Sequence, residues 1–320
     1  MTFVPAPGYL PAYNPPLPYV APVLGGLWPG MAIYVQGVVA PQPDWLRVNL
    51  AVGPEDEADV ALHLNPRFSG GVTVLNSRRG GRWGDERRRE LHPLCAGTPF
   101  EMVISVTPEA FRILVNGTFY EEFPHRLPPE QVTAVSVDGD LQLHSASVLG
   151  GATTCPPCVP DMPQAIPSYP NCNLPVMEQP PTFHPTVPFI TTIPGGLVPK
   201  KTIVIKGFIP HEASRFHINL RAGPGGDVML HMNPRMDEGD VVVRNSQLGG
   251  SWGHEERELS GPSPFQRGRY FDLSIRCGNH RFKVFAEGQP LFDFQHRAPA
   301  GPHVDVLEIE GDVVLSFVHF

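Results

Sequence analysis

Charge is scarce in this chain, and neither sign dominates enough to grip a phosphate backbone. Asp, Glu, Lys and Arg make up 18% of 320 residues, with 24 basic against 32 acidic groups and a formal charge of −8. Nucleic acid is therefore not an expected partner. Long apolar runs are also missing, so no stretch of 18 residues is suited to cross a bilayer as a helix. Five cysteines, Cys95, Cys155, Cys158, Cys172 and Cys277, are too few and too scattered for a disulfide scaffold. A cleavable leader is not expected, because the first basic residue is Arg47 and seven prolines interrupt residues 1–24. These absences predict a chain made in the cytosol. Amphipathic helices of useful length are lacking as well.

Proline (39) and glycine (32) are plentiful, and their positions expose a repeat. Gly25-Gly26-Leu27 returns as Gly195-Gly196-Leu197, and His63-Leu-Asn65-Pro66-Arg67 returns as His231-Met-Asn233-Pro234-Arg235. Asn76-Ser77, Trp83-Gly84 and His125-Arg126 return as Asn245-Ser246, Trp252-Gly253 and His296-Arg297. A period near 170 residues far exceeds that of a solenoid and marks a duplicated domain. The reading divides the chain into a Pro/Tyr-rich disordered segment (1–24), a first domain (25–150), a Pro-rich flexible linker (151–194) and a second domain (195–320).

Within each copy the pattern is all-β. Short runs rich in branched residues, such as 32–39, 47–52, 72–75 and 102–106, alternate with Gly, Pro and Asn. Asn116-Gly117 between 111–115 and 118–123 predicts a hairpin, and Glu287-Gly288 marks the same place in the second copy. Two antiparallel β-sandwiches joined by the Pro-rich linker follow.

Side chains two apart on a strand share a face. His63, Asn65 and Arg67 therefore project together, as do Val74 with Asn76 and Glu86 with Arg88, beside Trp83. The second copy offers His231, Asn233, Arg235, Val243, Asn245, Trp252, Glu255 and Arg257. Fixed donors and acceptors next to a flat apolar plate suit a ligand with adjacent hydroxyls and one C–H face. A sugar ring has that form.

His-x-Asn-Pro-Arg, Val-x-Asn and Trp-Gly-x-Glu-x-Arg, in this order and twice, resemble the signature of the galectin carbohydrate-recognition domain, in the family's tandem-repeat layout. The resemblance implies a metal-independent, non-catalytic, bivalent lectin for β-galactosides that needs no cofactor. It implies that His63, Asn65 and Arg67 meet the axial O4 of galactose, and that Asn76 and Glu86 hold O6. Trp83 would stack on the ring, and Arg88 with Glu86 would reach the next sugar. His231, Asn233, Arg235, Asn245, Glu255, Trp252 and Arg257 would take the matching roles. It also implies glycoprotein and glycolipid partners, contact with membranes only through glycans, room for self-association, and export without a signal peptide from cytoplasm to cell surface.

The copies differ at the rim. Trp45 and Arg47 align with Arg215 and His217, and the acidic loop Glu55-Asp56-Glu57 has no counterpart. The first domain has 10 basic against 15 acidic residues, the second 14 against 15. These differences predict distinct extended-glycan preferences, the second site tolerating sulfated or sialylated glycans better. A glycosidase is disfavoured, because each copy shares only one carboxylate where hydrolysis usually needs two. The rival reading is a cytosolic protein–protein scaffold built on the Pro/Tyr-rich segments. Cys155-Pro-Pro-Cys158 reads as exposed linker thiols rather than a metal pair. The Asn116-Gly117-Thr118 sequon is expected to stay bare.

Overall fold

Alternating apolar residues fold each copy into two facing antiparallel sheets. The computed structural model describes residues 3–6, 8–90, 93–150, 177 and 180–320; Cys155, Cys158, Cys172 and most of the expected linker lie outside them. In the first domain one sheet runs Leu10–Tyr13, Leu141–Leu149, Ala32–Val39, Pro99–Val106, Ala110–Val115, Thr118–Pro124. The other runs Tyr19–Pro22, Ala134–Gly139, Leu46–Ala51, Val60–Arg67, Val72–Arg79, Arg82–Trp83, and Arg87–Glu90 also pairs with Val72–Arg79. Val48, Leu50, Leu62 and Leu64 on the latter sheet meet Ile33, Val35, Phe100 and Phe111 on the former, each exposed by 1% or less. Each such side chain contributes about 1.5–3 kcal/mol by leaving water.

The second domain repeats the plan. Its sheets run Thr182–Phe183, Val314–His319, Thr202–Ile209, Arg269–Cys277, Arg281–Ala286, Gln289–Gln295 and Phe189–Thr192, Val306–Gly311, Phe216–Arg221, Val228–Arg235, Val241–Leu248, Ser251–Trp252. Ile218, Leu220, Leu230 and Met232 pack against Ile205, Phe271, Phe282 and Phe294. Both expected hairpins form, and their turn residues Asn116, Gly117, Glu287 and Gly288 all have positive φ, between 49° and 76°. A two-residue turn that matches strand twist requires such angles. Among the described residues the helical content is two 3-10 turns, Pro129–Gln131 and Met236–Glu238.

Two expectations about proline-rich segments need correction. Residues 1–24 contain two strands: Leu10–Tyr13 pairs with Ser145–Val148, and Tyr19–Pro22 pairs with Ala134–Val137. The stretch 151–194 likewise contains Thr182–Phe183 and Phe189–Thr192, paired with 317–318 and 306–309. All four are the outermost strands of their sheets. An outermost strand bonds on one side only, so a proline lacking its N–H is tolerated there. Counting prolines over a window therefore overstates disorder.

Candidate functional site

The sugar-type residues form a grid because the pleat puts alternate positions of neighbouring strands on one face. With Leu62 and Leu64 committed to the core, His63, Asn65 and Arg67 must point outward. Register then fixes their neighbours. Asn49, His63 and Asn76 lie abreast on three strands, Asn65 lies opposite Val74, and Val74 lies opposite Arg88. Trp45 bridges to Arg67, and Trp83 pairs with Arg78 beyond Asn76. The second copy reproduces the rows as Asn219–His231–Asn245, Asn233–Val243 and Arg215–Arg235, with Trp252 opposite Gln247.

Each polar group on the grid is held from behind. His63 Nδ1 lies 2.7 Å from Asn49 Oδ1, Asn65 Nδ2 donates to the Leu46 carbonyl at 2.7 Å, and Arg67 Nε donates to Asn65 Oδ1 at 2.8 Å. The second domain gives 2.6, 2.6 and 2.8 Å for His231–Asn219, Asn233–Phe216 and Arg235–Asn233. Arg88 and Arg257 each grip one oxygen of Glu86 or Glu255 through Nε and Nη2, the Nη2 contact being 2.7 Å in both. The hydrogen bond from Arg257 holds the Glu255 carboxyl below the usual carboxylate range, the wrong direction for a general acid.

The indoles stand apart from the packed core. Trp83 and Trp252 are 50% and 53% exposed. Each lies 4.9 Å from its histidine, centroid to centroid, at interplanar angles of 60° and 62°. The preceding glycines, Gly80-Gly81 and Gly249-Gly250, all have positive φ, so the turn delivers each Trp directly onto the histidine row. Burial, aided by Arg47 and Arg67, lowers His63 to about 4; burial, aided by His217 and Arg235, lowers His231 to about 4. Both imidazoles are thus neutral hydrogen-bonding groups at ordinary pH.

Two residues that brace the site escape the sequence reading, although the repeated His-Arg pair at 125–126 and 296–297 was the signal for them. Arg126 Nη1 donates to Asn76 Oδ1 (3.2 Å) and to the Asp85 carbonyl (2.8 Å), its guanidinium 4.7 Å from the Phe123 ring centre. Arg297 does the same to Asn245 (2.8 Å) and the His254 carbonyl (2.6 Å) over Phe294. Asn76 and Asn245 return Nδ2 to the Gly84 and Gly253 carbonyls, both at 2.9 Å. The Arg therefore ties the asparagine to the loop carrying Trp and Glu. A Cβ on Gly253 would sit 2.6 Å from Arg297 Nη1, so a larger residue there would displace that guanidinium. Arg126→Ala and Arg297→Ala are each expected to weaken lactose binding at their own site about tenfold, at roughly 1–1.5 kcal/mol for a charge-assisted bond. Calorimetry on each variant checks this; an unchanged affinity would reduce the arginine to a loop staple.

The rims diverge in how their charges are paired. Arg47 pairs with Asp138 at 2.7 Å, and an open depression of about 330 Å³ lies between Trp45, Arg47, His63, Asn65 and Arg67. In the second domain Arg215 is not a free cation: its Nη2 lies 2.6 Å from Asp237 and 3.5 Å from Glu238. Glu238 also meets Arg235 at 3.2 Å and Arg257 at 3.9 Å, while His217 faces Glu308 and Glu310 at 3.6 and 3.8 Å. Aligning Arg215 with Trp45 had suggested a more anion-tolerant second site; the Asp237–Glu238 turn, absent from the first copy, offsets that charge. A larger cavity of about 630 Å³, lined by Ile190, Thr192, Val306 and Phe320 among others, shares no residue with the grid. His217, Glu308 and Glu310 are also close enough together to contact one cation.

Comparison with known proteins agrees with this geometry. The family model described as galactoside-binding lectin matches residues 18–148 and 188–320. The chain is 49% identical to human galectin-4 over 327 residues and 50% identical to bovine galectin-4 over 336, covering 99% of both chains in each case. It is 32% identical over 306 residues to a 32 kDa beta-galactoside-binding lectin of Haemonchus contortus, covering 95% of each. With a matching domain in each half of the chain and relatives aligned end to end, the chain belongs to the galactoside-binding lectin family and is a tandem-repeat galectin.

Proposed function

We propose that this protein cross-links β-galactoside-bearing glycoproteins and glycolipids through the two grids. The observation that carries the reading is the duplicated geometry: a row of held His, Asn, Arg and Asn groups with a half-exposed indole at 4.9 Å from the His in both domains. Asn65 and Asn233 have spent Oδ1 and one Nδ2 hydrogen on the protein and keep one hydrogen for a ligand. An axial hydroxyl above His, Asn and Arg meets all three; an equatorial one leaves those buried groups unpaired, at a cost that rejects glucose. The indole covers the C–H face. Neither site needs a metal, and the one carboxylate the two copies share beside the indole, Glu86 or Glu255, is clamped by arginine rather than held as an acid. The reading calls for a protein made in the cytoplasm that works on glycans outside the cell or at its surface.

We assign the better tolerance of anionic extensions to the first site. Of the guanidinium groups on the first row, Arg47 pairs with Asp138 and Arg88 with Glu86, while Arg67 has no ion-pair partner among the described residues; the acidic loop Glu55-Asp56-Glu57 lies further out, beside Arg78, which donates to the Asp56 carbonyl. In the second site four guanidinium groups (Arg215, Arg221, Arg235, Arg257) face five carboxylates, Asp237, Glu238, Glu255, Glu308 and Glu310. Calorimetric titration of lactose into the chain with EDTA present, then of a sulfated lactose, tests both statements. Two lactose sites per chain are expected, with sulfation better accepted when Trp252→Ala silences the second site than when Trp83→Ala silences the first. Absence of lactose binding would remove the lectin reading, and the reverse order of sulfate tolerance would remove the assignment.

A further inference from the structure

The second grid continues one strand further than the first. Register places Glu308 opposite Asn219 and Asn219 opposite His231, so three side chains on three adjacent strands stand in one row. The contacts along it are short. Asn219 Nδ2 donates to Glu308 Oε1 at 2.6 Å, and His231 Nδ1 lies 2.6 Å from Asn219 Oδ1. Arg221 clamps the far side of the carboxylate, Nε to Oε2 at 3.0 Å and Nη2 to Oε1 at 3.2 Å. In the first domain the same register puts Ser136 opposite Asn49 and Ala51 where the second has Arg221.

The chemistry of the row runs in one direction. Glu308 is deprotonated: burial alone would raise its carboxyl, but the bonds from Arg221 and Asn219 outweigh that and hold it below the usual range. A carboxylate only accepts, so the amide of Asn219 must turn Nδ2 toward it. Oδ1 then faces His231 and can only accept in turn. A neutral imidazole has one proton, which this arrangement keeps on Nδ1, so Nε2 presents a lone pair outward. The hydroxyl of Ser136 donates or accepts equally and forces nothing on Asn49.

We propose that Glu308 is a positioning residue for the second galactoside site, fixing through Asn219 which nitrogen of His231 accepts the sugar hydroxyl, and that the first site has no equivalent. This rests on the reading that His231 meets the sugar. It makes the second site pre-organised, whereas in the first the amide of Asn49 can turn over and His63 can exchange tautomers. A group aligned before binding avoids the ordering cost that a freely turning one incurs.

The test uses the full chain with Trp83→Ala, so that lactose reports only the second site. In that background Glu308→Ser with Arg221→Ala installs the pair the first domain folds with, leaving no unpaired guanidinium. Lactose affinity is expected to fall about fivefold, the scale of one net hydrogen bond. Nitrogen-15 NMR of the imidazoles should show His231 passing from a single Nδ1–H form to a mixture. Glu308→Gln keeps an acceptor for Asn219 and should retain both the affinity and the single form. An affinity within twofold together with an unchanged His231 signature in the double variant overturns the proposal. If the Trp83→Ala parent itself fails to bind lactose, the galactoside reading of this site has failed instead, and the NMR signature still decides the relay. If the double variant does not fold, Ser136→Glu asks the reverse question: His63 should become a single Nδ1–H form, and no change there overturns the proposal.

Discussion

Alanine in place of Trp83 or Trp252 is expected to lower lactose affinity at its own site about 30- to 100-fold, leaving the other site untouched. Each indole is half-exposed, meets His63 or His231 edge-on, and in the first domain carries the Arg78 guanidinium 5.5 Å from its ring centre, so little of its apolar surface is committed to the core. Its removal therefore subtracts sugar contact more than stability, at about 2–3 kcal/mol for an aromatic plate covered by ligand. The larger consequence falls on clustered ligands. Two sites on one chain gain about 10²–10⁴ in avidity from effective concentration. Either single substitution should remove that gain, dropping retention on a densely galactosylated surface to the level of a monovalent binder. Calorimetry with lactose and retention on beads of graded galactose density separate the two effects. Full retention by a single variant would mean that bivalency is not what holds the protein to surfaces. A binding partner that still engages a chain carrying both Trp83→Ala and Trp252→Ala would instead support a protein scaffold.

The second large effect is on acidification. Lactose binding should persist to about pH 5 and be lost at both sites as pH falls through about 4, where His63 and His231 protonate. At either imidazole the nitrogen left without a proton is the acceptor, Nε2 in the second site; protonating it turns it into a donor and adds charge beside Arg67 or Arg235. The sign for stability is the same. Folded-state values near 4 lie below the ordinary 6.5, so between these limits the unfolded chain binds more protons and the fold loses stability as pH falls. Above 6.5 the two histidines impose no such penalty. Titrations between pH 7.5 and 3.5, with imidazole NMR and tryptophan fluorescence on the same samples, check the assignment. Binding that fails above pH 5.5 while the fold is intact, or survives unchanged at pH 3.5, would contradict it.

Much of this arrangement is legible in the sequence because strands encode faces by parity. Once Leu62 and Leu64 are read as core, His63, Asn65 and Arg67 can go only one way, and the duplication supplies an internal control. Parity does not reveal register across strands. In the row Glu308–Asn219–His231, Glu308 lies 89 residues from Asn219 and 77 from His231, and nothing local at Glu308 marks it. Parity is equally silent on pairing partners: nothing around Arg215 in the sequence marks the Asp237–Glu238 turn that pairs with it. The repeated His-Arg pair was visible, but its reach back to Asn76 and Asn245 spans 50 and 52 residues. Proline misled where composition stood in for position: Pro11 and Pro22 sit on strands that bond on one side only.

Those outermost strands have a consequence for how the protein can be divided. A cut at residue 24 would strip Leu10–Tyr13 from Leu141–Leu149 and Tyr19–Pro22 from Ala134–Gly139, and a cut at 194 would do the same to Val314–His319 and Val306–Gly311. Each remnant would carry two raw margins of unspent N–H and C=O groups, ready templates for a neighbouring molecule's backbone. The proline-bearing strands thus act as selvedges, finishing cloth that would otherwise ravel into its neighbour.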